Sequence, residues 1–486
     1  MKHRRRVAFS LTSICVVALC WTTARADLSG DVRAVLRDKS LAKCEVGVEI
    51  ARLRSGSSPE ILFKHNSDIP LIPASNLKLV TTSAALETLG ADFKFRTVLA
   101  LRDRDLLIIG DGDPTIGDFE LLKKSGWDVD TLFRNWSDLL KAKGIKSVRN
   151  VIVDDSVFDD EFVHPTWPEK QQHLNYVAGV GGLNLNTNCI DFYLSTGAAG
   201  ARVSYRADPP TKYATVTNDC VTGRENAIWL SRVIGTNNIE LRGEASVSSV
   251  QPVRVTVHDP PLFAATVLAE TLAGCGVKVS GTVVRDRTIR QSKPKDLDVL
   301  AVHETPLLTV LARANKHSVN LYAEALCKRV GFEISHLPGS WESGTVAMSS
   351  FVSSCGVADD QFNFADGGGL SRKNAVSANA LVRVLAHNFA GKSRELFISS
   401  LAVSGAEGTL DNRFRNSDIQ GRVFAKSGYV IGVSALSGYL KAKDGQWYAF
   451  SIIMNGVTDT STAKQLQEKI VRAIDSTGAA RVTAGQ

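Results

Sequence analysis

Strand-like stretches lie at both ends of this chain of 486 residues, separated by a long middle section. Residues 44–50 alternate apolar and polar side chains, and a Gly/Ser-rich turn leads to a second strand at 60–64. Three more strands and an amphipathic helix are predicted near the other end, at 422–425, 434–440, 447–455 and 461–474. These patterns predict an α+β fold whose antiparallel sheet is assembled from both chain ends, with the middle inserted.

The middle section, 91–300, carries a different pattern. A strand at 106–109, a helix at 128–143 and a second strand at 150–153 come first, and short alternating strands with turn residues dominate from 176 to 257. Strands that alternate with a helix are typical of an α/β unit. We therefore predict an inserted α/β plus β-rich region that forms two small domains.

The first 26 residues have the composition of an export signal. Residues 1–6 carry four Lys and Arg and no acid, 7–21 are almost wholly apolar, and Ala24-Arg25-Ala26 fits a small-x-small cleavage site. They predict a signal peptide cleaved before Asp27 and a periplasmic protein. An uncleaved anchor is the alternative, but the apolar core is short for a membrane span, so no integral membrane anchor is predicted.

The formal net charge of +7 would by itself suggest a nucleic-acid or membrane partner. Five of the 57 Lys and Arg residues, and none of the 50 Asp and Glu residues, lie in the leader. The mature chain then carries 52 basic and 50 acidic residues, a net charge of +2. No nucleic-acid partner is predicted.

Six cysteines remain after the leader is removed. An even number in an exported chain permits disulfides, although six cysteines leave the connectivity open. Proximity along the chain favours the pairs Cys189–Cys220 and Cys327–Cys355. There is no C-x-x-C motif and the cysteine spacing does not suggest a zinc site, so no metal is predicted.

The motifs of several common nucleophile systems are missing from the sequence, among them G-x-S-x-G, H-E-x-x-H and the P-loop. A serine–lysine pair remains, in which the amine deprotonates the hydroxyl. S-x-x-K suits this chemistry because three residues make about one helical turn. The motif occurs four times, at 40–43, 75–78, 292–295 and 461–464. Only Ser75 and Lys78 start an apolar helix early in the chain, so we select them.

Two partner motifs follow in order. Ser318-Val319-Asn320 sits between two helical stretches, where a loop can point into a cleft, and Lys426-Ser427-Gly428 lies in an apolar strand. Each motif also has a second copy that suits a simple helix end, at 377–379 and 124–126. A single motif is weak evidence, whereas the ordered trio in suitable contexts is specific.

With these motifs the chain resembles the class C low-molecular-mass penicillin-binding proteins, which are periplasmic D-alanyl-D-alanine carboxypeptidases/endopeptidases with a large insert. The resemblance covers nearly the whole mature chain, including the interval of about 240 residues between Ser75 and Ser318, which is much longer than in related β-lactamases. Further similar segments are 71–78, 110–114, 153–158, 183–188, 366–370 and 404–410. The resemblance implies a transpeptidase/β-lactamase-like domain of 27–90 and 301–486.

The resemblance also implies a mechanism for the matching residues. Ser75 would be acylated by the penultimate D-Ala carbonyl of a peptidoglycan stem peptide, with Lys78 as its base. Ser318 would shuttle a proton, and Asn320 would contact the peptide and Lys78. Water would then release the product, whereas β-lactam antibiotics would be covalent inhibitors because their leaving group stays attached. No cofactor is implied.

The third motif is implied to bind the end of the substrate. Lys426 would supply a positive field, Ser427 would bind the terminal carboxylate, and Gly428 would allow close backbone approach. The N–H groups of Ser75 and Tyr429 would form the oxyanion hole. The family usually has Thr in place of Ser427 and a smaller polar residue in place of Tyr429; because Ser keeps the hydroxyl, we expect activity to survive.

In relatives, the insert supplies a carboxylate and aromatic residues that hold the free amino end of a diaminopimelate side chain. Asp155 is the candidate carboxylate here, with Trp167 a weaker aromatic candidate. The alternative is that Asp154 and Asp155 only cap the turn after their strand. Gly368 is a further departure, since the family more often has Ser at that position.

The leading hypothesis is therefore a serine D-alanyl-D-alanine carboxypeptidase with DD-endopeptidase activity. The alternatives are a β-lactamase or esterase on the same fold, against which the long insert argues, and a peptidoglycan-binding protein with a decayed site. The mechanism needs a Lys78 that is partly neutral, and we expect burial and the charge of Lys426 to lower its pKa.

Overall fold

The computed structural model describes residues 27–123, 125–291 and 296–483, with side chains described as far as residue 476. The predicted signal peptide, 1–26, lies outside the described residues. The first section contains two helices and two strands: α1 (Leu28–Leu36), β1 (Glu45–Leu53), β2 (Glu60–His65) and α2 (Leu77–Leu89). Among the helices of the described ranges, none is both long and apolar enough to cross a membrane.

The middle of the chain is rich in short strands. Its elements are β3 (Lys94–Arg102), β4 (Asp105–Ile109), α3 (Phe119–Leu122), α4 (Thr131–Ala142), β5 (Ser147–Val148), β6 (Val151–Asp154), β7 (Cys189–Ser195), β8 (Ser204–Asp208), β9 (Thr215–Asn218), β10 (Val221–Thr222), β11 (Ala227–Arg232), β12 (Asn238–Ala245), β13 (Val253–Thr256), α5 (Pro260–Gly274), β14 (Lys278–Val279), β15 (Val283–Arg285) and β16 (Asp298–Pro306).

The last section returns to longer helices and strands. Its elements are α6 (Leu307–Lys316), α7 (Asn320–Ser335), α8 (Trp341–Ser354), β17 (Phe362–Asn363), β18 (Ala375–Val376), α9 (Ala378–Ala390), α10 (Arg394–Ser399), β19 (Ala402–Val403), β20 (Val423–Val430), β21 (Val433–Lys441), β22 (Trp447–Asn455) and α11 (Thr460–Thr483).

The central sheet joins the two ends of the chain. Its strand order is β19-β20-β21-β22-β1-β2, and its pairings are antiparallel. β1 pairs with β22 along its whole length, from Glu45 opposite Asn455 to Leu53 opposite Trp447. All but the first residue of β1 are buried, which explains why this strand holds the two ends together. The prediction of one sheet built from both termini is confirmed.

Helices cover both faces of the central sheet, as an α+β architecture requires. α2, α7, α8 and α9 contribute to one hydrophobic cluster. α1 and α11 contact each other and belong to a second cluster with the other face of the sheet. Within α2, ten of the thirteen residues are buried. The helix that begins next to Ser75, α2, is therefore packed against other parts of the protein on nearly all of its faces.

The middle of the chain leaves and re-enters the first domain at one place. β3 and β16 pair antiparallel, with Phe95 opposite Thr305, and β16 leads directly into α6. They belong to a five-stranded sheet, β15-β6-β4-β3-β16, and a β-rich part with smaller sheets lies between β6 and β15 along the chain. Both parts share a hydrophobic cluster that includes Leu99 and Leu241. The α/β plus β-rich character is as predicted; the division into 27–90 with 301–486 and 91–300, with two small domains inside the insert, stays a prediction.

The cysteines do not form the two disulfides that proximity suggested, because all six are free thiols. The Cys189 thiol donates to the carbonyl of Thr187 instead. A β-carbon on Gly344 of α8 would lie 2.6 Å from the Cys327 sulfur, so this sulfur faces the first part of α8. Cys355 follows the end of that helix, about 16 Å further along its axis. The two disulfides predicted from closeness in sequence are therefore wrong.

Candidate active site

Ser75 lies in the tight turn that starts α2. A single 3₁₀ turn, Ala74–Asn76, runs directly into the helix and leaves Ser75 half-buried at its N-terminus. Lys78 is one turn further along, and its Nζ lies 3.0 Å from Ser75 Oγ. The three-residue spacing thus brings amine and hydroxyl together, as predicted from helix geometry.

Lys78 is fully buried and has three oxygen partners. Besides Ser75 Oγ, its Nζ donates to Asn320 Oδ1 at 2.7 Å and to the carbonyl of Gly368 at 2.6 Å. Burial lowers the pKa of Lys78 to about 8, while the carboxylates of Glu324 and Asp366 act to raise it. A neutral amine is therefore accessible near neutral pH, and it can accept the proton of Ser75.

Ser318 and Lys426 form a second pair beside the first. Ser318 lies in the turn between α6 and α7 with a left-handed φ of 61°, and Lys426 Nζ donates to its Oγ at 2.9 Å. Lys426 is fully buried, and burial together with the charge of Lys78 lowers its pKa well below the usual value. The sequence led us to expect that the charge of Lys426 lowers the pKa of Lys78. In the structure the charge of Lys78 lowers the pKa of Lys426, whereas burial is the main cause of the lowered pKa of Lys78.

The rest of the third motif lies along β20. Ser427 Oγ donates to Thr409 Oγ1 at 2.9 Å, and Tyr429 is 57% exposed at the end of the strand. A β-carbon on Gly428 would lie 2.7 Å from the carbonyl oxygen of Pro73. The glycine therefore allows β20 to pass close to the turn that carries Ser75, rather than only to a ligand.

A cavity of about 520 Å³ opens at these motifs. Residues from the first two motifs, the 366–372 loop, the tip of the β20–β21 hairpin and the insert line it: Ser75, Thr166, Pro168, Gln171, Tyr176, Ser318, Asn320, Gly369, Leu370, Arg372, Tyr429, Val430 and Ile431. Lys78, Lys426 and Ser427 are not among them. Asp and Glu are absent from this lining, and Arg372 is its charged residue.

The insert supplies one wall of the cavity, which includes Gln171 and Tyr176. The sequence had instead led us to expect substrate contacts from Asp155 and Trp167. The backbone carbonyl of Tyr176 accepts a hydrogen bond of 2.7 Å from Asn320 Nδ2. The Tyr176 hydroxyl donates to Gln171 Oε1 at 2.7 Å. Neither residue belongs to a motif in the sequence, so only the folded chain identifies them.

The insert residues that were predicted to bind substrate lie elsewhere. Asp155 is fully buried, 3.5 Å from Arg285 Nε and 3.9 Å from Arg287 Nη1, and burial raises its pKa. It does not line the cavity. Trp167 is buried too, and its Nε1 donates to Asp366 Oδ2 at 2.9 Å, so it supports the 366–372 loop from behind. Their positions give no support to direct substrate contact.

Metal chemistry needs a cluster of ligating side chains. In the ranges that the structure covers, no group of three or more His, Cys, Asp and Glu is placed to hold a metal ion. The two serine–lysine pairs are instead arranged for proton transfer and covalent acyl chemistry.

The sequence pattern of residues 28–477 matches that of the D-Ala-D-Ala carboxypeptidase 3 (S13) family. The chain belongs to this family. A relative, the D-alanyl-D-alanine carboxypeptidase of Actinomadura sp. (strain R39), is 33% identical over 457 residues, which cover 88% of this chain and 81% of the relative. The predicted family is therefore confirmed, and the chain is a serine-type D-Ala-D-Ala carboxypeptidase.

Solved structures show the same fold. Penicillin binding protein 4 of Haemophilus influenzae superposes with a TM-score of 0.76 at 22% identity, covering 91% of this chain and 99% of that protein. The predatory endopeptidase Bd3459 of Bdellovibrio bacteriovorus, solved in a form acylated by penicillin G, has a TM-score of 0.50 at 17% identity and covers 90% and 93%. The predicted transpeptidase-like α+β fold is confirmed for this family member.

Proposed function

We propose that Ser75 is the nucleophile that cleaves the terminal D-Ala-D-Ala bond of a peptidoglycan stem peptide. The observation that carries this is the contact of 3.0 Å between Lys78 Nζ and Ser75 Oγ, made by a fully buried lysine whose pKa is lowered to about 8. Lys78 takes the hydroxyl proton as Oγ attacks the carbonyl carbon of the penultimate D-Ala. An ester to Ser75 forms and the peptide bond breaks.

The second pair completes the proton path. The leaving D-Ala amine takes the proton that Lys78 accepted from Ser75, relayed by Ser318, whose hydroxyl is hydrogen-bonded to Lys426 at 2.9 Å; Lys78 is neutral again. Asn320 holds Lys78 through its Oδ1 at 2.7 Å. Water then attacks the ester, and Lys78 again serves as the base, so that free peptide and Ser75 are restored.

The exposed end of β20 and the start of α2 bind the reacting groups. The N–H groups of Ser75 and Tyr429 stabilise the developing oxyanion, because Ser75 opens a helix and Tyr429 lies in the strand beside it. Ser427 and the positive field of buried Lys426 bind the substrate's terminal carboxylate, with Gly428 keeping β20 close to Ser75. β-Lactam antibiotics acylate the same serine, and their leaving group stays attached.

The site that we propose works on peptidoglycan outside the cytoplasm. Residues 1–26 carry the charged, apolar and small-residue regions of a signal peptide, and peptidoglycan stem peptides are exposed in the periplasm. Detection of a mature protein that begins at Asp27 in a periplasmic fraction would support this placement.

The balance between two peptidase activities is open to direct measurement. The purified mature protein is incubated with a monomeric stem pentapeptide and, separately, with a cross-linked muropeptide, and released D-alanine and monomer are quantified. Release of D-alanine from the pentapeptide supports the carboxypeptidase, and conversion of the dimer to monomers supports the DD-endopeptidase. Absence of both products, with rapid turnover of a chromogenic cephalosporin, would favour a β-lactamase instead.

The acylation rate is expected to depend on pH through Lys78. Because protonated Lys78 cannot accept the proton of Ser75, and its pKa is about 8, the rate falls on the acid side of that value. Below it we expect a decrease of about tenfold per pH unit. The second-order rate constant of acylation by benzylpenicillin, measured from pH 9 to pH 5, tests this. A flat profile would contradict the role of Lys78 as base.

Asp155 is expected to support the fold rather than to bind substrate. The change Asp155→Asn removes the charge that faces Arg285 and Arg287 in a buried site, and we expect it to lower the free energy of unfolding by about 2 kcal/mol. The KM for stem peptide should not change. Gln171→Ala, which alters the cavity lining, is the matched variant and should raise KM. A higher KM for Asp155→Asn at unchanged stability would restore the original prediction.

A further inference from the structure

Glu324 is a fully buried carboxylate behind the site. It lies four residues after Asn320 on α7, so the two side chains lie on the same helix face. Its Oε1 accepts the backbone N–H of Gly368 at 2.7 Å. Its Oε2 accepts the N–H of Gly367 and the Nε1–H of Trp341, both at 2.8 Å. Three N–H donors on two oxygens favour the ionised carboxylate.

The loop that Glu324 holds is also the loop that Lys78 contacts. The Gly368 N–H donates to Glu324, and the Gly368 carbonyl accepts from Lys78 Nζ at 2.6 Å. One peptide segment thus links the buried carboxylate to the buried amine. Within the described ranges the two side chains make no direct ion pair, so the coupling runs through the loop and through space.

We propose that Glu324 is a positioning residue: it fixes the Gly367–Gly368 segment beneath Lys78, so that the Gly368 carbonyl holds this amine beside Ser75. The inference rests on the proposed role of Lys78 as the base. It gives a function to a residue outside the three motifs.

Other charged groups face the same region. Asp366 is buried, but its oxygens already accept four hydrogen bonds, from Trp167, Gly369, Ser371 and Asn374. Lys426 lies on the far side of the site, paired with Ser318.

One turn after Glu324, Cys327 is a buried thiol, and Lys328 is paired with Asp159 at 2.6 Å and lies over the Trp341 ring. Burial and Asp366 raise the pKa of Glu324 to about 8, and its hydrogen bonds and Lys78 oppose this.

Glu324 also explains why residue 368 is glycine. A β-carbon on Gly368 would lie 2.5 Å from Glu324 Oε1 and 3.4 Å from Asn320 Oδ1. Since three N–H donors hold the Glu324 carboxylate in place, it has little freedom to move away. The Ser that the family more often has at this position would therefore displace Glu324 in this chain.

The test is the pH profile of acylation by benzylpenicillin for the change Glu324→Gln in the full mature chain. Near pH 8 the Glu324 carboxyl is itself only partly ionised, so loss of its charge should lower the pH at the midpoint of the acid limb by less than about one unit. The rate on the alkaline plateau should fall about tenfold, since the loop is held less firmly and the amine is a weaker base. Glu49→Gln is the matched control, because Glu49 is another fully buried carboxylate, hydrogen-bonded to Asn379 and placed on β1, which β22 and β21 separate from the Lys426 strand β20. It should leave both quantities unchanged.

The inference would be overturned if Glu324→Gln showed the same acid-limb midpoint and the same plateau rate of acylation as Glu49→Gln. If Glu324→Gln does not fold, Gly368→Ala provides the measurement, because it displaces the carboxylate without removing a charge. In that variant the rate of acylation on the alkaline plateau should fall at least about fivefold, while the midpoint of the acid limb stays at its wild-type pH. An unchanged plateau rate would overturn the inference as well. A wild-type protein that benzylpenicillin does not acylate would instead refute the proposed function.

Discussion

A protein with the change Ser75→Ala is expected to lose labelling by fluorescent penicillin completely. In the proposed mechanism the covalent bond forms to Ser75 Oγ, and no other hydroxyl is within hydrogen-bonding distance of Lys78 Nζ among the contacts of the described residues. Loss of a nucleophile commonly lowers the rate by about a millionfold, so any residual label should be below detection. The measurement is in-gel fluorescence, with the mass of the intact acyl-enzyme as a second readout.

Ser461→Ala is the matched control for this experiment. Ser461 belongs to another S-x-x-K sequence at the start of a helix, α11, but its side chain is exposed and Lys464 is exposed as well. The control should label as well as wild type. Equal labelling of Ser75→Ala and wild type would refute the assignment of the nucleophile.

The change Lys78→Met should nearly abolish acylation while the fold is kept. Met has a similar shape and suits a fully buried position, but it cannot take the proton of Ser75. General-base catalysis contributes about 10² to 10⁴-fold, and we expect a loss of that size in the rate of acylation by benzylpenicillin. The remaining slow reaction should no longer show the acid limb.

Two comparisons separate this effect from simple damage. Thermal unfolding should show that Lys78→Met is folded, because it removes a buried amine and its desolvation cost together. Lys464→Met changes the exposed lysine of the other motif and should acylate at the wild-type rate. A Lys78→Met protein that keeps both the rate and the acid limb would show that another group is the base.

Local patterns predicted the parts of the site that are close in sequence. Ser75 and Lys78 could be paired because a step of three residues is one helical turn, a distance set by backbone geometry alone. The strands of the central sheet could be predicted because short, mainly apolar segments lie between turn residues, although β1, β21 and β22 are buried on both faces. The predicted first and last residues of the strands and helices differ from those in the structure by a few residues, because the ends of such elements depend on the residues around them.

Contacts between distant residues could not be derived in this way. Lys78 meets Asn320 and Gly368, which are 242 and 290 residues away in the chain. The resemblance to a family implied the first of these contacts, but neither it nor the sequence predicted the contact of Lys78 with Gly368 or the position of Glu324. The same limit explains Asp155, which follows its strand as a substrate ligand would but turns toward Arg285 and Arg287.

By itself, the sequence determined the family, the α+β class, the sheet built from both ends and the positions of the three motifs, because these rest on local periodicity and on residue type. Only the tertiary structure showed that the selected S-x-x-K motif contacts Asn320, and that the insert lines the cavity with Tyr176 and Gln171. It also decided the depth at which Lys78 is buried. That depth lowers the pKa of the amine to about 8, and burial is a property of the packed chain rather than of any segment of it.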